Sequence, residues 1–248
     1  AALPGTFVAW LSDDASDAYC RVLGVSGKRA DDCGGAASGR TAGPWLRTDG
    51  VPFAEKLDRV VVGQAETYTP PRTDEFGAPV SLERSFFTGT NFDGTLRDPA
   101  PCINWTAPAE QQYVDRGYSE AVGWSVGGVL CKDPYSLLCL EIGGGLPLSI
   151  QPAAGQKAFL TSVRGPGNLA SWPAAASKTS LEAGDQICRT LAAAAGLENS
   201  GEFKAWLSTS TINARDRIRS NGPWVRLDGI PVANDKADLL DGALFTAM

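Results

Sequence analysis

The sequence predicts an α+β fold that is rich in loops and cross-linked by disulfides. Short apolar segments of strand length alternate with turn residues, and one longer segment has the spacing of a helix. The 248 residues include six cysteines, 28 glycines and 16 prolines, and only 20% are charged. This composition is typical of an ordered fold with many turns. The length suffices for one or two hydrophobic cores.

Four segments are predicted to be strands because they are short, apolar and followed by turn residues. An Asp-Gly pair follows the second of them at residues 49–50 and recurs at residues 228–229, and this pair favours a tight turn. The segment 89–94 has the turn residues Asn91, Asp93 and Gly94. The predicted strands are residues 7–11, 45–47, 86–88 and 134–142.

Residues 180–195 form the clearest predicted helix. Thr179 and Glu182 have the spacing of a capping box, and Gly196 is a typical C-terminal stop. Four residues fall on one side at helical spacing and are expected to pack into a core. They are Ile187, Cys188, Leu191 and Ala195.

The chain contains an internal repeat. Residues 7–12 read FVAWLS and residues 203–208 read FKAWLS, while residues 43–52 and 222–231 share seven of ten residues. Two blocks that recur in the same order predict tandem copies of one module. The repeated tryptophans are therefore expected to lie in module cores. They are Trp10, Trp45, Trp206 and Trp224.

The copies predict a division into residues 1–147, a Gly/Pro linker at 148–155, and residues 156–248. The first part is a module without its N-terminal helix, and the last is the N-terminal half of a second module. Alternatively, a partial copy was duplicated and serves as a spacer. The offset between copies falls from 196 to 179, so the first copy holds 17 extra residues. A local Cys20–Cys33 bridge would hold this insertion.

Charge and cysteine content exclude several classes of function. The net charge is −6 with no concentrated basic patch, which argues against nucleic-acid binding. No stretch is apolar enough for a membrane span. An even number of scattered cysteines favours disulfides and an extracellular or cell-surface location, the alternative being buried free thiols. No cofactor is expected, and without histidine the cysteines do not form a zinc-site pattern.

Catalytic patterns are incomplete. Residues 123–127 match G-x-S-x-G, but the chain has no histidine to serve as the base. Asp49, Asp93 and Glu141 could act as paired carboxylates, although turn positions explain the two aspartates. The sequence therefore predicts a protein that is not an enzyme. Five acidic residues could bind calcium but match no known loop spacing, so solvated acids are favoured. They are Asp13, Asp14, Asp17, Asp31 and Asp32.

The order of blocks resembles the endostatin-like branch of the C-type-lectin-like fold, and a bacterial secreted domain of unknown function that shares it. The matching blocks are GDQICRTLAAAAGL, GEFKAWLS, GPWVRLDG, FFTGTNFDGT, PCINW and GVLCKDPYSLLCLEIG. The resemblance implies a mixed antiparallel sheet with one or two helices. It also implies an inner bridge, Cys102–Cys131, and an outer bridge from a helix cysteine to Cys139. Within this chain the helix cysteine is Cys188.

The resemblance implies recognition of a glycan or protein ligand by loops on a rigid scaffold. The expected ligand-binding residues are Thr90, Asn91, Asp93 and Trp124. Heparan-sulphate and zinc binding do not carry over, because the chain is acidic and lacks histidine. The calcium-binding motifs of lectins are absent from the sequence. The alternative function is a structural subunit of an extracellular fibre, sheath or matrix, in which neighbouring chains complete the incomplete modules.

Overall fold

A computed structural model describes residues 3–61, 67–81, 84–98, 101–106, 112–118, 128–148, 153–241 and 244–246. The chain is α+β and divides into two compact units. The first unit takes in the chain up to residue 153, together with Gly229–Val232 and the segment 244–246. The second unit contains most of the remainder. The change of unit follows residue 153, and residues 149–152 of the predicted linker lie outside the described residues, so the division into modules stays a prediction.

The first unit contains eight short strands among its described residues. Strand β1 (Phe7–Ala9) pairs antiparallel with β8 (Cys139–Glu141), which joins the start of the unit to its end. Strands β2 (Trp45–Leu46) and β3 (Pro52–Ala54) form a hairpin around the predicted Asp-Gly turn. The remaining strands are β4 (Ser85–Phe87), β5 (Tyr113–Tyr118), β6 (Gly128–Leu130) and β7 (Ser136–Leu137).

These last four strands form one sheet in the order β6–β5–β4–β7. Strand β5 is antiparallel to both β4 and β6, while β7 runs parallel to β4. The main core lies between β1, β3 and the short helices and is centred on Trp10, Trp45 and Phe53. The helices are α1 (Ala18–Val22), α2 (Asp32–Gly35), α3 (Leu57–Val60) and α4 (Cys102–Trp105).

The helical turns α2 and α4 contain left-handed backbone. In α4 all four residues from Cys102 to Trp105 have positive φ, including Ile103 at 52°. In α2 the same holds for Asp32 to Gly35. Non-glycine residues adopt this conformation at a cost, because Cβ crowds the following carbonyl oxygen. Sequence patterns did not predict either turn.

The second unit is built on α5 (Ser180–Ala194), which matches the predicted helix within one residue. Thr179 is its N-cap residue, although its side chain makes no capping hydrogen bond. Gly196 has φ +68° after the last turn, as the C-terminal stop requires. Ile187 is buried and Leu191 half-buried, as predicted, but Ala195 is exposed.

Strand β9 (Gln156–Ala158) pairs in parallel with β10 (Trp224–Arg226) in this unit. The helix α6 (Ala214–Arg217) follows the second FxAWLS block. Strand β11 (Pro231–Ala233), whose first two residues belong to the first unit, comes after the second Asp-Gly turn, and helix α7 (Lys236–Leu240) follows it in the second unit. Among the described residues, no helix is both long and apolar enough to cross a membrane.

Candidate functional site

The residues predicted to bind a ligand lie around one turn but are engaged within the protein. Thr90 is fully buried, and its hydroxyl lies 3.0 Å from the Ser12 hydroxyl and donates to the Thr88 carbonyl. The Asn91 amide donates to the side chain and backbone of the residues that close the turn. Asp93 accepts bonds from the backbone N–H and the hydroxyl of Thr95.

These contacts assign Thr90, Asn91 and Asp93 a role in holding the turn. Trp124 lies outside the described residues, as does the G-x-S-x-G segment 123–127. Ligand binding by this loop therefore stays a prediction, and the geometry gives it no added support.

Buried charge lies beneath this turn. The backbone carbonyl of Asp115 accepts bonds from the N–H groups of Thr88 and Gly89. Its side chain is buried and accepts a bond of 3.1 Å from Arg97. Burial raises the pKa of Asp115 above its ordinary value of 3.8, and the Arg97 guanidinium opposes this rise.

Three of the other acidic candidates also have structural partners. Asp13 caps its own turn by accepting from the N–H groups of Ala15 and Ser16. Asp17 is buried and accepts from two backbone N–H groups, those of residues 29 and 96. Within the described ranges, no group of three or more potential metal-binding side chains occurs. Asp49 forms an ion pair with Arg47.

Two disulfides are present, Cys20–Cys33 and Cys102–Cys131, and both were predicted. The predicted Cys139–Cys188 bridge is absent, since both residues are free cysteines. Cys139 lies on β8 of the first unit and Cys188 on α5 of the second unit. The pairing was wrong because it assumed that this helix completes the first module. Burial raises the pKa of both thiols.

The two FxAWLS blocks have the same local backbone hydrogen bonds at an offset of 196. In each copy the serine that ends the block accepts from the first N–H of the following helix, and the next residue closes a turn. The bond from Ala18 N to Ser12 Oγ (2.8 Å) matches that from Ala214 N to Ser208 Oγ (2.9 Å). The bond from Leu11 N to Ala9 O (2.8 Å) matches that from Leu207 N to Ala205 O (2.9 Å). The bond from Asp13 N to Ser16 O matches that from Thr209 N to Ile212 O, and both are 2.9 Å long.

The surroundings of the two blocks differ sharply. Trp10 is 1% exposed, whereas Trp206 is 52% exposed. The prediction that all four repeated tryptophans lie in cores is confirmed for Trp10, Trp45 and Trp224 and is wrong for Trp206. In the first unit β8 pairs with one edge of the block, where the Trp10 backbone N–H donates to the Leu138 carbonyl at 2.8 Å, and the Trp10 indole is buried in the main core.

Five exposed positions in the second block and directly after it form a set that we call the Trp206 face. Each position is more exposed than its counterpart in the first copy. Ile212, for example, is 46% exposed, whereas its counterpart Ser16 is 7% exposed. The Trp206 face consists of Lys204, Trp206, Ser208, Ile212 and Asn213.

The opposite side of the second block is fixed by α5. Gly184 lies so close to Ala205 and Leu207 that a Cβ atom on it would approach the Leu207 side chain to 2.7 Å. The buried carboxylate of Asp185 accepts from the Ala205 N–H at 3.0 Å and from Arg217 at 2.6 Å. Sequence reasoning did not find this ion pair.

One signal in the sequence pointed to the difference between the copies. The six-residue blocks differ only at their second position, where Val8 is replaced by Lys204. Val8 is half-buried beneath the rest of the first unit, and Lys204 is exposed. A lysine at a position that is apolar in the other copy indicates a side of the strand that this chain leaves open to solvent.

Comparison of the chain with known proteins finds no matching family model and no matching curated relative. The functional argument therefore depends on the geometry of the chain itself.

Proposed function

We propose that the chain is a non-enzymatic structural subunit of an extracellular fibre, sheath or matrix, in which a neighbouring chain covers the exposed side of the second FxAWLS block. The observation that carries this proposal is the Trp206 face. The same six-residue block is covered in one unit and open in the other. An exposed tryptophan and isoleucine among polar residues, at positions whose counterparts in the same chain are buried, favour an interaction surface here.

Burying the exposed apolar area of the Trp206 face would contribute favourably to the free energy of association. A tryptophan side chain can bury about 200 Å², and half of that area is worth roughly 2.5 kcal/mol at ~25 cal/mol per Å². Ile212, six positions after Trp206, adds a second half-exposed apolar side chain. Together they could supply the centre of an interface whose rim is polar.

The location rests on the two intramolecular disulfides. Such bridges persist in oxidising compartments and are rare in the cytosol. They support a secreted or cell-surface protein, which is where fibres, sheaths and matrices assemble.

Sedimentation velocity over a range of concentrations, together with electron microscopy, tests the proposal. The wild-type chain is expected to associate as concentration rises and to form ordered assemblies. Trp206→Lys is expected to remain monomeric, because it places a charge in the apolar centre of the face. The control is Leu160→Lys, which changes another exposed apolar residue of the second unit outside the Trp206 face.

A wild-type chain that stays monomeric at every concentration would refute the proposal. So would association that is equally strong in Trp206→Lys. Circular dichroism of each variant establishes that it retains the wild-type fold.

A further inference from the structure

We infer that the Trp206 face binds an extended polypeptide segment by β-strand addition, antiparallel to residues 203–208, and that this segment carries a carboxylate opposite Lys204. The inference rests on the proposed function and specifies the chemistry of the partner at that site. Three independent features support it: the backbone, the register and the side chains.

The backbone groups of the block are satisfied on one edge only. On the α5 side, the Ala205 N–H donates to Asp185, and Arg217 donates to the carbonyl groups of Ala205 at 2.7 Å and Leu207 at 3.1 Å. On the other edge, no hydrogen bond among the described residues engages the Trp206 N–H or either backbone group of Lys204. A row of unpaired backbone groups is a template for another strand.

The first unit supplies the register for the added strand. There β1 runs antiparallel to β8, with Val8 opposite Leu140. The flanking bonds run from the Trp10 N–H to the carbonyl of residue 138 and from the N–H of residue 142 to the carbonyl of residue 6. At the offset of 196, Thr6 corresponds to Glu202, whose N–H donates to the Asn199 carbonyl at the end of a helical turn, so the register of the added strand rests on the counterparts of Val8 and Trp10, which are Lys204 and Trp206. These are the residues whose backbone groups are unengaged.

The side chains define the partner's chemistry. In the first unit two aliphatic side chains, Val8 and Leu140, are opposite each other across the strand pair. In the second copy the ammonium group of Lys204 replaces Val8, and opposite charges are the favourable cross-strand pair for it. Its Nζ lies 3.7 Å from Asp185, which has a closer partner in Arg217 at 2.6 Å. The ammonium group can therefore turn to a partner's carboxylate.

Next to Trp206, the partner needs an aliphatic side chain. Leu138 occupies the corresponding place in the first unit, where it packs against the core that contains Trp10. The occupant is thus a strand with an aliphatic residue two positions before an acidic one. The β8 strand of a second copy has leucine at the acidic position, so in an assembly of identical chains it should bind this edge more weakly than an acidic strand does.

Peptide binding to the full-length chain tests the inference. The probe is a synthetic peptide with the sequence of residues 134–143 carrying Cys139→Ser and Leu140→Glu. Its matched control carries Cys139→Ser and Leu140→Lys. Tryptophan fluorescence measures affinity, and amide hydrogen exchange locates the contact. The acidic peptide is expected to bind saturably, about tenfold more tightly than the lysine peptide, and to protect the Trp206 amide.

Variants of the chain test the charge pairing. Lys204→Gln is expected to abolish the preference between the peptides, and Lys204→Glu to reverse it. Lys178→Glu, which changes another exposed lysine of the second unit, is expected to leave the preference unchanged. Absence of saturable binding would overturn the inference, as would binding that is insensitive to both the peptide charge and residue 204.

The two proposals fail in different ways. If the chain assembles through Trp206 but binds neither peptide, strand addition is wrong and the assembly function stands. If the acidic peptide binds but the chain never assembles, the site is a strand acceptor and the assembly function is wrong.

Discussion

The ion pair between Asp185 and Arg217 is expected to be the principal polar contact that holds the second FxAWLS block on α5. Both side chains are at least nine-tenths buried, and the Nη2–Oδ1 distance is 2.6 Å. Asp185→Ala removes the carboxylate and leaves a buried guanidinium without its anion. Breaking one member of a buried pair costs about 3–5 kcal/mol, so the free energy of unfolding of this unit should fall by that amount.

The reverse substitution is expected to cost less. Arg217→Ala leaves Asp185 with Lys204 at 3.7 Å, Arg189 at 3.9 Å and the Ala205 N–H, so the carboxylate keeps partial compensation. The decrease in the free energy of unfolding then comes mainly from the hydrogen bonds that the Arg217 guanidinium no longer donates, each worth about 1.5–3 kcal/mol before the structure relaxes. We expect a decrease of roughly 2–3 kcal/mol.

The first unit provides the matched control. Arg21 occupies the position equivalent to Arg217, but its Nη1 atom lies 3.8 Å from Asp13 and its side chain is one-third exposed. Arg21→Ala should therefore cost less than about 1 kcal/mol. Urea unfolding followed by far-UV circular dichroism measures all three variants and the Asp185/Arg217 double mutant. A coupling energy below about 1 kcal/mol, or an equal effect at Arg21 and Arg217, would refute the reasoning.

Three further predictions concern the thiols, one glycine and one buried acid. Cys139 and Cys188 should both react with iodoacetamide without reductant, but more slowly than a model thiol at mildly alkaline pH, because burial raises the pKa of each thiol. Recovery of a disulfide-linked peptide that contains both cysteines would contradict this. Gly94→Ala should lower the melting temperature more than Gly50→Ala does. Both glycines have φ near +80°, but only at Gly94 would a Cβ contact neighbouring side chains, at 3.0–3.1 Å. Equal decreases in melting temperature would exclude the packing effect. The folded state favours the protonated form of Asp115, so the free energy of unfolding of the wild-type chain, relative to that of Asp115→Asn, should fall as the pH rises from 3.8 through the raised pKa of the folded state. Unfolding titrations that show a pH-independent difference between the two chains would contradict the assignment.

The sequence predicted the elements that depend on local chemistry. The helix at 180–194 has a β-region N-cap residue and a left-handed glycine, which are properties of neighbouring residues. The Asp-Gly turns and the strand at Phe7–Ala9 are local in the same sense. The Cys20–Cys33 bridge spans a short loop, so its partner was within reach of a sequence argument.

The features that were missed depend on distant parts of the chain. Trp10 and Trp206 have almost identical sequence neighbours, so their different exposure could not be read from those neighbours. It depends on distant residues, which enclose the Trp10 indole in the main core of the first unit and leave Trp206 half exposed. The Asp185–Arg217 pair joins residues 32 positions apart and has no motif. The ligand-binding role predicted for the loop at residues 89–95 rested on resemblance, and its polar groups are engaged in holding the turn.

The left-handed turn at Cys102–Trp105 has a consequence for engineering the protein. Ile103 is 59% exposed and has φ 52°, so it gains little from burial while its branched side chain opposes the backbone conformation. Two interactions hold the ends of the turn in place. They are the Cys102–Cys131 disulfide and the hydrogen bond that the Trp105 indole N–H donates to the Ser12 carbonyl. Ile103→Gly would remove the cost of the left-handed backbone at this position while leaving both ends of the turn in place, and after the entropic cost of glycine it should raise the free energy of unfolding by up to about 1 kcal/mol.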